Sequence, residues 1–268
     1  MSRKFVKNYV LKAKINLETG LHIGGLKETV EIGGTDNPVI TTYKKINGRY
    51  ETIAYIPGSS LKGKIRSLLD IAYSSEILTK EEWESKRRPP EYIQVGLNYI
   101  KYDSEKGREI IKVFGVPAEK IENEGAGRLV VRDAFPTPET VEKWKNLPDV
   151  VNGSEVKAEN TVNRITSAAM PRFFERVPAD SEFECEMVLS IYEEDSDALL
   201  NLLLEGMKML EDSYLGGFGS RGYGKIKFKD IIIKERPLEY YEGNKKAERI
   251  YAEGGTLDEL IEKVKGNS

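Results

Sequence analysis

Ser59, Ser60, Lys62, Gly63 and Arg66 stand together where the chain reads as entering a helix, in Ile56-Pro57-Gly58-Ser59-Ser60-Leu61-Lys62-Gly63-Lys64-Ile65-Arg66-Ser67-Leu68-Leu69. The first amide protons of a helix are unpaired and point outward, so a helix start attracts anions. Two hydroxyls able to cap the helix, with two cations one turn apart, would complete a phosphate cradle. A capped surface helix with solvated basic residues reads the same segment equally well. A second segment, Gly216-Gly217-Phe218-Gly219-Ser220-Arg221-Gly222-Tyr223-Gly224-Lys225, has glycines (Gly217 and Gly219 among them) that let backbone approach a polyanion closely. Arg221 and Lys225 add charge to it. The segment satisfies the dinucleotide-binding pattern G-x-G-x-x-G, which must follow a strand and open a helix. Here a helical pattern precedes it and an alternating one follows, so the match is false. RNA backbone contact and a flexible helix-to-strand turn remain.

A third segment runs from Glu159-Asn160-Thr161-Val162-Asn163-Arg164 through Ala169-Met170-Pro171-Arg172 to Glu175-Arg176-Val177-Pro178. Apolar side chains beside arginines are how proteins unstack nucleotides. An amphipathic hairpin packed on its own domain is the other reading. By type, Phe173 and Phe174 read as packing residues, and Met170 and Arg172 as tip residues. Asp36 lies in the turn-forming Gly33-Gly34-Thr35-Asp36-Asn37-Pro38-Val39; most loop aspartates are turn or cap residues. His22 follows a strand, where a lone histidine serves structure or RNA contact, and RNA contact is the role assigned to it.

The elements that must carry these groups are legible from periodicity. Tyr9, Leu11, Ala13, Ile15 and Leu17 alternate with Lys12, Lys14 and Asn16, which predicts a half-buried strand. Leu61, Ile65, Leu68, Leu69 and Ala72 predict a buried helical stripe from about Ser60 to Ser74. Residues 76–112 are polar and weakly periodic. Leu129–Arg132 reads as a short buried strand. Phe183, Cys185, Met187, Leu189 and Ile191 alternate with Glu182, Glu184, Glu186 and Ser190. Leu199, Leu200, Leu203, Leu204, Met207 and Leu210 have helical period. Ile226 and Phe228 alternate with Lys225, Lys227 and Lys229, and these lysines are expected to pair with the glutamates of a neighbouring strand. The reduced order is strand, helix, strand, strand, helix, strand: an α+β, ferredoxin-like layout. The strands lack interleaved rings, so RNA is not expected to stack on that sheet.

Composition narrows the class. The chain has 268 residues, 32% of them charged, yet a net charge of -3. That permits a local basic groove and argues against a basic coat. One cysteine, Cys185, and one histidine exclude an internal disulfide and the usual zinc sites. No long apolar run and no basic-then-apolar leader occurs, so a soluble, cytoplasmic protein with no membrane partner is expected.

The segments around Asp36, Ser59, Arg164 and Gly217 occur in that order between residues 20 and 230. Together they resemble the RAMP superfamily, the RNA-binding subunits of CRISPR effector complexes, and in it the repeated backbone subunit of the type III-A (Csm) complex. The resemblance implies one RRM-like (ferredoxin-like) subunit. Its core would span about 1–75, 127–135 and 182–235, with a lid at 76–126, a thumb at 136–181 and a C-terminal tail at 236–268. It implies CRISPR guide RNA bound through His22, Ser59, Ser60, Lys62, Gly63, Arg66, Arg164, Met170, Arg172, Gly217, Gly219, Arg221 and Lys225. It makes Asp36 the residue that cleaves complementary target RNA, positioning a divalent metal (Mg²⁺) or the attacking 2′-hydroxyl. Zinc is not expected. Implied partners are further copies of the chain, the large polymerase-nuclease subunit, the small helical subunit and end-capping RAMP subunits. A purely structural RNA-binding RAMP and a guide-processing RAMP endoribonuclease built on His22 are the rivals.

Overall fold

The chain's structure, a computed structural model, describes residues 4–24, 38–46, 48–116, 126–162, 165 and 169–267. Strand β1 (Phe5–Leu17) is central in the largest sheet, with Tyr9, Leu11, Ala13, Ile15 and Leu17 buried on one face as its alternation predicts. Hairpin β2–β3 (Thr41–Ile46, Arg49–Ala54) follows, then helix α1 (Gly58–Tyr73). Burying Leu61, Ile65 and Leu69 stabilises α1 against the sheet by about 2 kcal/mol each. The polar stretch after α1 is more ordered than its pattern suggests. It forms β4 (Glu76–Leu78), α2 (Lys80–Ser85), β5 (Ile93–Val95) and β6 (Asn98–Lys101), a small sheet of order β4-β6-β5. Its own core is Leu78, Tyr92 and Tyr99, with Trp83 stacked on Tyr99 at 4.0 Å. Helix α3 (Glu105–Phe114) then returns to the main core through Ile110, Val113 and Phe114.

Strands β7 (Leu129–Val131) and β8 (Phe135–Pro136) pair with β11 (Glu182–Tyr192). Between them lie α4 (Pro138–Lys145) and the antiparallel hairpin β9 (Glu155–Val162) and β10 (Ala169–Arg176). Helix α5 (Ala198–Asp212), strands β12 (Ile226–Pro237) and β13 (Arg249–Thr256) and helix α6 (Leu257–Asn267) complete the order. The large sheet runs β13-β12-β1-β11-β7, with β8 also on β11, and each of these pairings is antiparallel.

Several expectations are corrected. β7 is not buried throughout: Leu129 is, but Val130 faces solvent, because neighbours on a strand face opposite ways. The lysines of β12 do not meet the glutamates of β11, because β1 lies between those strands. Lys12 and Lys14 of β1 take Glu186 and Glu182 instead, while Lys227 reaches the buried Glu211 of α5 at 3.0 Å and Lys225 reaches Glu18. The stretch read as a tail contributes an edge strand and a helix whose Leu257, Leu260 and Val264 join the core. Helix α1 starts after Pro57 with no side-chain cap, so Ser59 and Ser60 do not cap it.

Candidate nucleic-acid interface

The chain after β1, the flank of the Asp36 loop, the base of hairpin β9–β10 and the glycine-rich loop converge on His22. Leu21 pairs with Val177 just beyond β10 through two backbone hydrogen bonds of 3.0 and 2.7 Å. Gly24 forms a bridge with Val39, and Ile40 N–H donates to the Ile23 carbonyl at 2.8 Å. Val39 N–H donates to the Glu175 carboxylate at 3.0 Å. The two ends of segment 25–37 are therefore pinned together at the base of the hairpin. Asp36 lies in that segment, and both Asp36 and Arg164, which belongs to the β9–β10 turn by sequence, are outside the described residues.

The glycine-rich loop closes the junction from the other side. Gly217 N–H donates to the His22 carbonyl at 2.8 Å, and Gly224 N–H to the Gly20 carbonyl at 2.9 Å. Phe218 adopts a left-handed backbone, φ 61°, which is costly for a side chain of its size. Its ring contacts His22 (4.9 Å), Phe174 (4.9 Å) and Tyr223 (5.8 Å), and that packing holds the strained turn. The Arg221 guanidinium lies over Phe174 and Phe218 and 3.6 Å from Glu159 of β9. Tyr223 donates its hydroxyl proton to Glu159 at 2.8 Å, and Lys157 lies 3.1 Å from the same carboxylate. On α1, Lys64 sits 3.9 Å over the ring of Tyr214, two residues before the loop, so helix and loop are neighbours.

Charges in this junction are mutually set. Burial pushes the Glu159 carboxyl up, but the hydrogen bonds from Tyr223 and Lys157 and the charges of Lys157 and Arg221 outweigh it and hold it below the usual range. Burial, then Glu159, pushes the Tyr223 phenol up to about 12, so it remains a proton donor at every working pH. A depressed carboxylate contributes stability above its unfolded pKa, about 4.3, and that contribution is lost as pH falls through the folded value. Acidification below about pH 4 is thus expected to loosen the loop from β9. Hydrogen exchange of amides 216–224, corrected for intrinsic rates, should speed up there in the wild type and be equally fast at neutral pH in Glu159→Gln.

Several site residues sit otherwise than their spacing suggests. His22 is buried; its Nδ1 lies 2.7 Å from the Glu175 carbonyl oxygen, which can only accept, so Nδ1 carries a proton. It organises the junction and does not present itself to RNA. Lys62 donates to the Leu129 carbonyl at 2.6 Å and Arg66 to the Gly115 carbonyl at 2.9 Å. Burial, then Arg66, lowers the Lys62 pKa. The helix start is itself partly filled, since Gly58 N–H donates to the Asp133 carboxylate at 2.8 Å, where a phosphate was expected. Ser59 and Gly63 are exposed and Ser60 half-buried. Arg172, Arg221 and Lys225 are exposed, and Gly217 and Gly219 line the loop beside them. Met170 pairs with Thr161 in the hairpin. Phe174 packs as expected, but Phe173 is exposed because neighbours on a strand face opposite ways.

Sequence reasoning missed Phe218 and Tyr223 as a ring cluster, although two aromatic residues among five glycines were a signal. It missed Asp133 and Glu175, whose reach depends on strand register and leaves no local trace. Among the described residues, no three His, Cys, Asp or Glu side chains converge to hold a metal, and no helix is long and apolar enough to cross a membrane.

The sequence matches the RAMP superfamily over residues 14–227. The chain belongs to that superfamily. Its relatives within it are Csm3 proteins. The CRISPR system Cms endoribonuclease Csm3 of Methanothermobacter thermautotrophicus is 46% identical over 251 residues, covering 90% of this chain and 91% of the relative. That of Methanocaldococcus jannaschii is 44% identical over 255 residues, covering 94% and 90%. The crystal structure of a Csm3–Csm4 subcomplex of the type III-A CRISPR-Cas interference complex contains a chain 31% identical, at TM-score 0.55, with 98% and 97% covered. Methanopyrus kandleri Csm3, 23% identical and at TM-score 0.52 with 89% and 80% covered, shares the fold.

Proposed function

We propose that the chain is the backbone subunit of a type III-A CRISPR interference complex, binding guide RNA and cleaving complementary target RNA as an endoribonuclease. The observation that carries this reading is the junction at His22. It ties both ends of the Asp36 loop to the base of the hairpin and to the arginine-bearing glycine loop, so RNA held by the loop would run beside the loop that cuts. The relatives' name, endoribonuclease, supports the activity. The Csm3–Csm4 subcomplex supports assembly with other Csm subunits; further copies of the chain and end-capping RAMP subunits are proposed beside them. The large and small subunits complete the proposed complex, which would work in the cytoplasm. The strand order β12-β1-β11-β7, with α1 and α5 as the crossovers, supports a ferredoxin-like core. Residues 76–126 would be its lid and residues 136–181, which include hairpin β9–β10, its thumb.

In the proposed reaction the target's 2′-hydroxyl oxygen attacks the adjacent phosphorus and the bond to the 5′-oxygen breaks. The hydroxyl proton leaves as the leaving oxygen gains one. The products are a cyclic phosphate and a 5′-hydroxyl. Asp36 would orient the attacking hydroxyl, a positioning effect that can be worth orders of magnitude in rate. A divalent cation, Mg²⁺ by expectation, would supply charge stabilisation when bound. The described residues do not form its site.

Backbone contact is proposed for Ser59, Ser60, Gly63, Arg164, Met170, Arg172, Gly217, Gly219, Arg221 and Lys225. The test is Arg221→Ala with Lys225→Ala. RNA affinity should fall about equally for unrelated sequences, and the slope of log affinity against log salt should flatten by about 1–2. A loss confined to particular sequences would contradict backbone recognition. Charge removal at Lys62 and Arg66 is the poorer probe, since both are half-buried and tied to backbone carbonyls, whereas Arg221 and Lys225 are exposed.

A further inference from the structure

Hairpin β2–β3 has two unlike faces. In its register Thr42 pairs with Ile53 and Lys44 with Glu51 on the inner face. Ile53 is buried, Lys44 lies 3.6 Å over the Phe135 ring, and Glu51 meets Lys145 of α4 at 3.6 Å. The inner face is thus occupied by the chain itself. On the outer face Tyr43 pairs with Thr52 and Lys45 with Tyr50, which makes the two tyrosines diagonal neighbours. Tyr43 is 77% and Tyr50 75% exposed, the largest exposures of any aromatic side chain among the described residues. Lys45 is exposed directly opposite Tyr50, and Arg49 is exposed beside the turn. The outer face (Thr41, Tyr43, Lys45, Tyr50, Thr52 and Ala54) is buried only at its base, at Ala54, and carries a cation and no carboxylate.

Two open rings with a cation between the strands offer π-faces for bases and charge for the phosphate joining them. This combination binds single-stranded nucleic acid without regard to sequence. An acidic or apolar protein partner would not need two rings this open to solvent beside a cation. The place is also right. β2 begins at Thr41, two residues after the Val39 that anchors the Asp36 loop. We propose that Tyr43 and Tyr50 form a two-base stacking platform for unpaired RNA, with Lys45 taking the linking phosphate. The inference rests on the reading that the chain binds RNA and deepens it, because the large sheet offers no such rings. The platform would hold nucleotides that enter or leave the cutting loop unpaired.

The test uses the full chain and a fluorescein-labelled oligoadenylate of about ten nucleotides, measured by anisotropy. Tyr43→Ala with Tyr50→Ala should weaken binding about thirtyfold, the lower end for two stacked bases. Tyr43→Phe with Tyr50→Phe should bind within about twofold of wild type, since stacking needs the ring and not the hydroxyl. The salt slope should be unchanged in both, because neither removes a phosphate contact. Wild-type binding by the double alanine variant would overturn the platform while leaving the RNA-binding reading intact. Equal loss in the alanine and phenylalanine variants would also overturn it, since ring stacking would not be the cause. A change in RNA-free molecular mass with unchanged RNA binding would show a protein interface and overturn it too. Failure of the wild type to bind any RNA would overturn both readings.

Discussion

Asp36→Ala is expected to lower cleavage of complementary RNA by the assembled complex at least about a hundredfold while guide and target binding stay within about twofold. The two halves of that expectation have separate causes. The ends of the Asp36 loop are held by the Gly24–Val39 bridge, the Ile40–Ile23 hydrogen bond and the bond from Val39 to Glu175, none of which uses Asp36. The loop therefore keeps its anchors when the carboxylate is removed. Rate, in contrast, depends on how the attacking hydroxyl is aimed. Asp36→Asn should be nearly as inactive as alanine, because the amide keeps the size but loses the charge. If a divalent cation takes part, chelation should silence the wild type to the level of the alanine variant. The check is single-turnover cleavage at matched occupancy, where an alanine variant cutting at the wild-type rate would leave an RNA-binding scaffold.

Gly216→Ala is expected to break the junction itself. Gly216 has φ +74°, and a Cβ there would collide with the His22 carbonyl oxygen that accepts the Gly217 amide proton. Left-handed backbone alone costs a side chain about 1–3 kcal/mol, and the collision adds to it. Gly222→Ala separates the two effects: Gly222 has φ +83° but open space where a Cβ would go. At about 2–4 °C per kcal/mol for a domain of this size, Gly222→Ala should lower Tm by a few degrees and Gly216→Ala by clearly more. RNA affinity and target cleavage should both fall with Gly216→Ala and hardly change with Gly222→Ala. Equal behaviour of the two variants would mean that the loop's docking on His22 does not matter for function.

The core was legible because its signals are local. β1, β11 and β12 announce themselves by alternation, α1 and α5 by helical period, and their order alone suggests the antiparallel sheet. The site was legible only as segments. Lys62 and Arg66 sit at the right spacing for a phosphate cradle, yet their partners, the carbonyls of Leu129 and Gly115, come from distant chain that no local pattern predicts. Asp133 fills the helix start for the same reason. His22 looked like a contact residue because a lone histidine beside glycines draws attention; its burial follows from Phe218 and Glu175, brought to it by two other segments. Tyr43 and Tyr50 passed unnoticed because a strand residue's face depends on what covers its hairpin.

On the proposed function, the chain cuts target RNA at Asp36, in a segment whose ends are held at the base of hairpin β9–β10. The most direct measurement maps the cuts made by the assembled complex in complementary RNA, with and without residues 169–173 at the thumb. Wild-type complex should give cuts at one regular spacing, with a cyclic phosphate on each upstream fragment and a 5′-hydroxyl on each downstream one. Loss of the thumb residues should disturb that spacing while RNA remains bound, because an apolar wedge fixes where the duplex is interrupted. Fully bound target left uncut by the wild-type complex, or the same spacing after the deletion, would contradict the account.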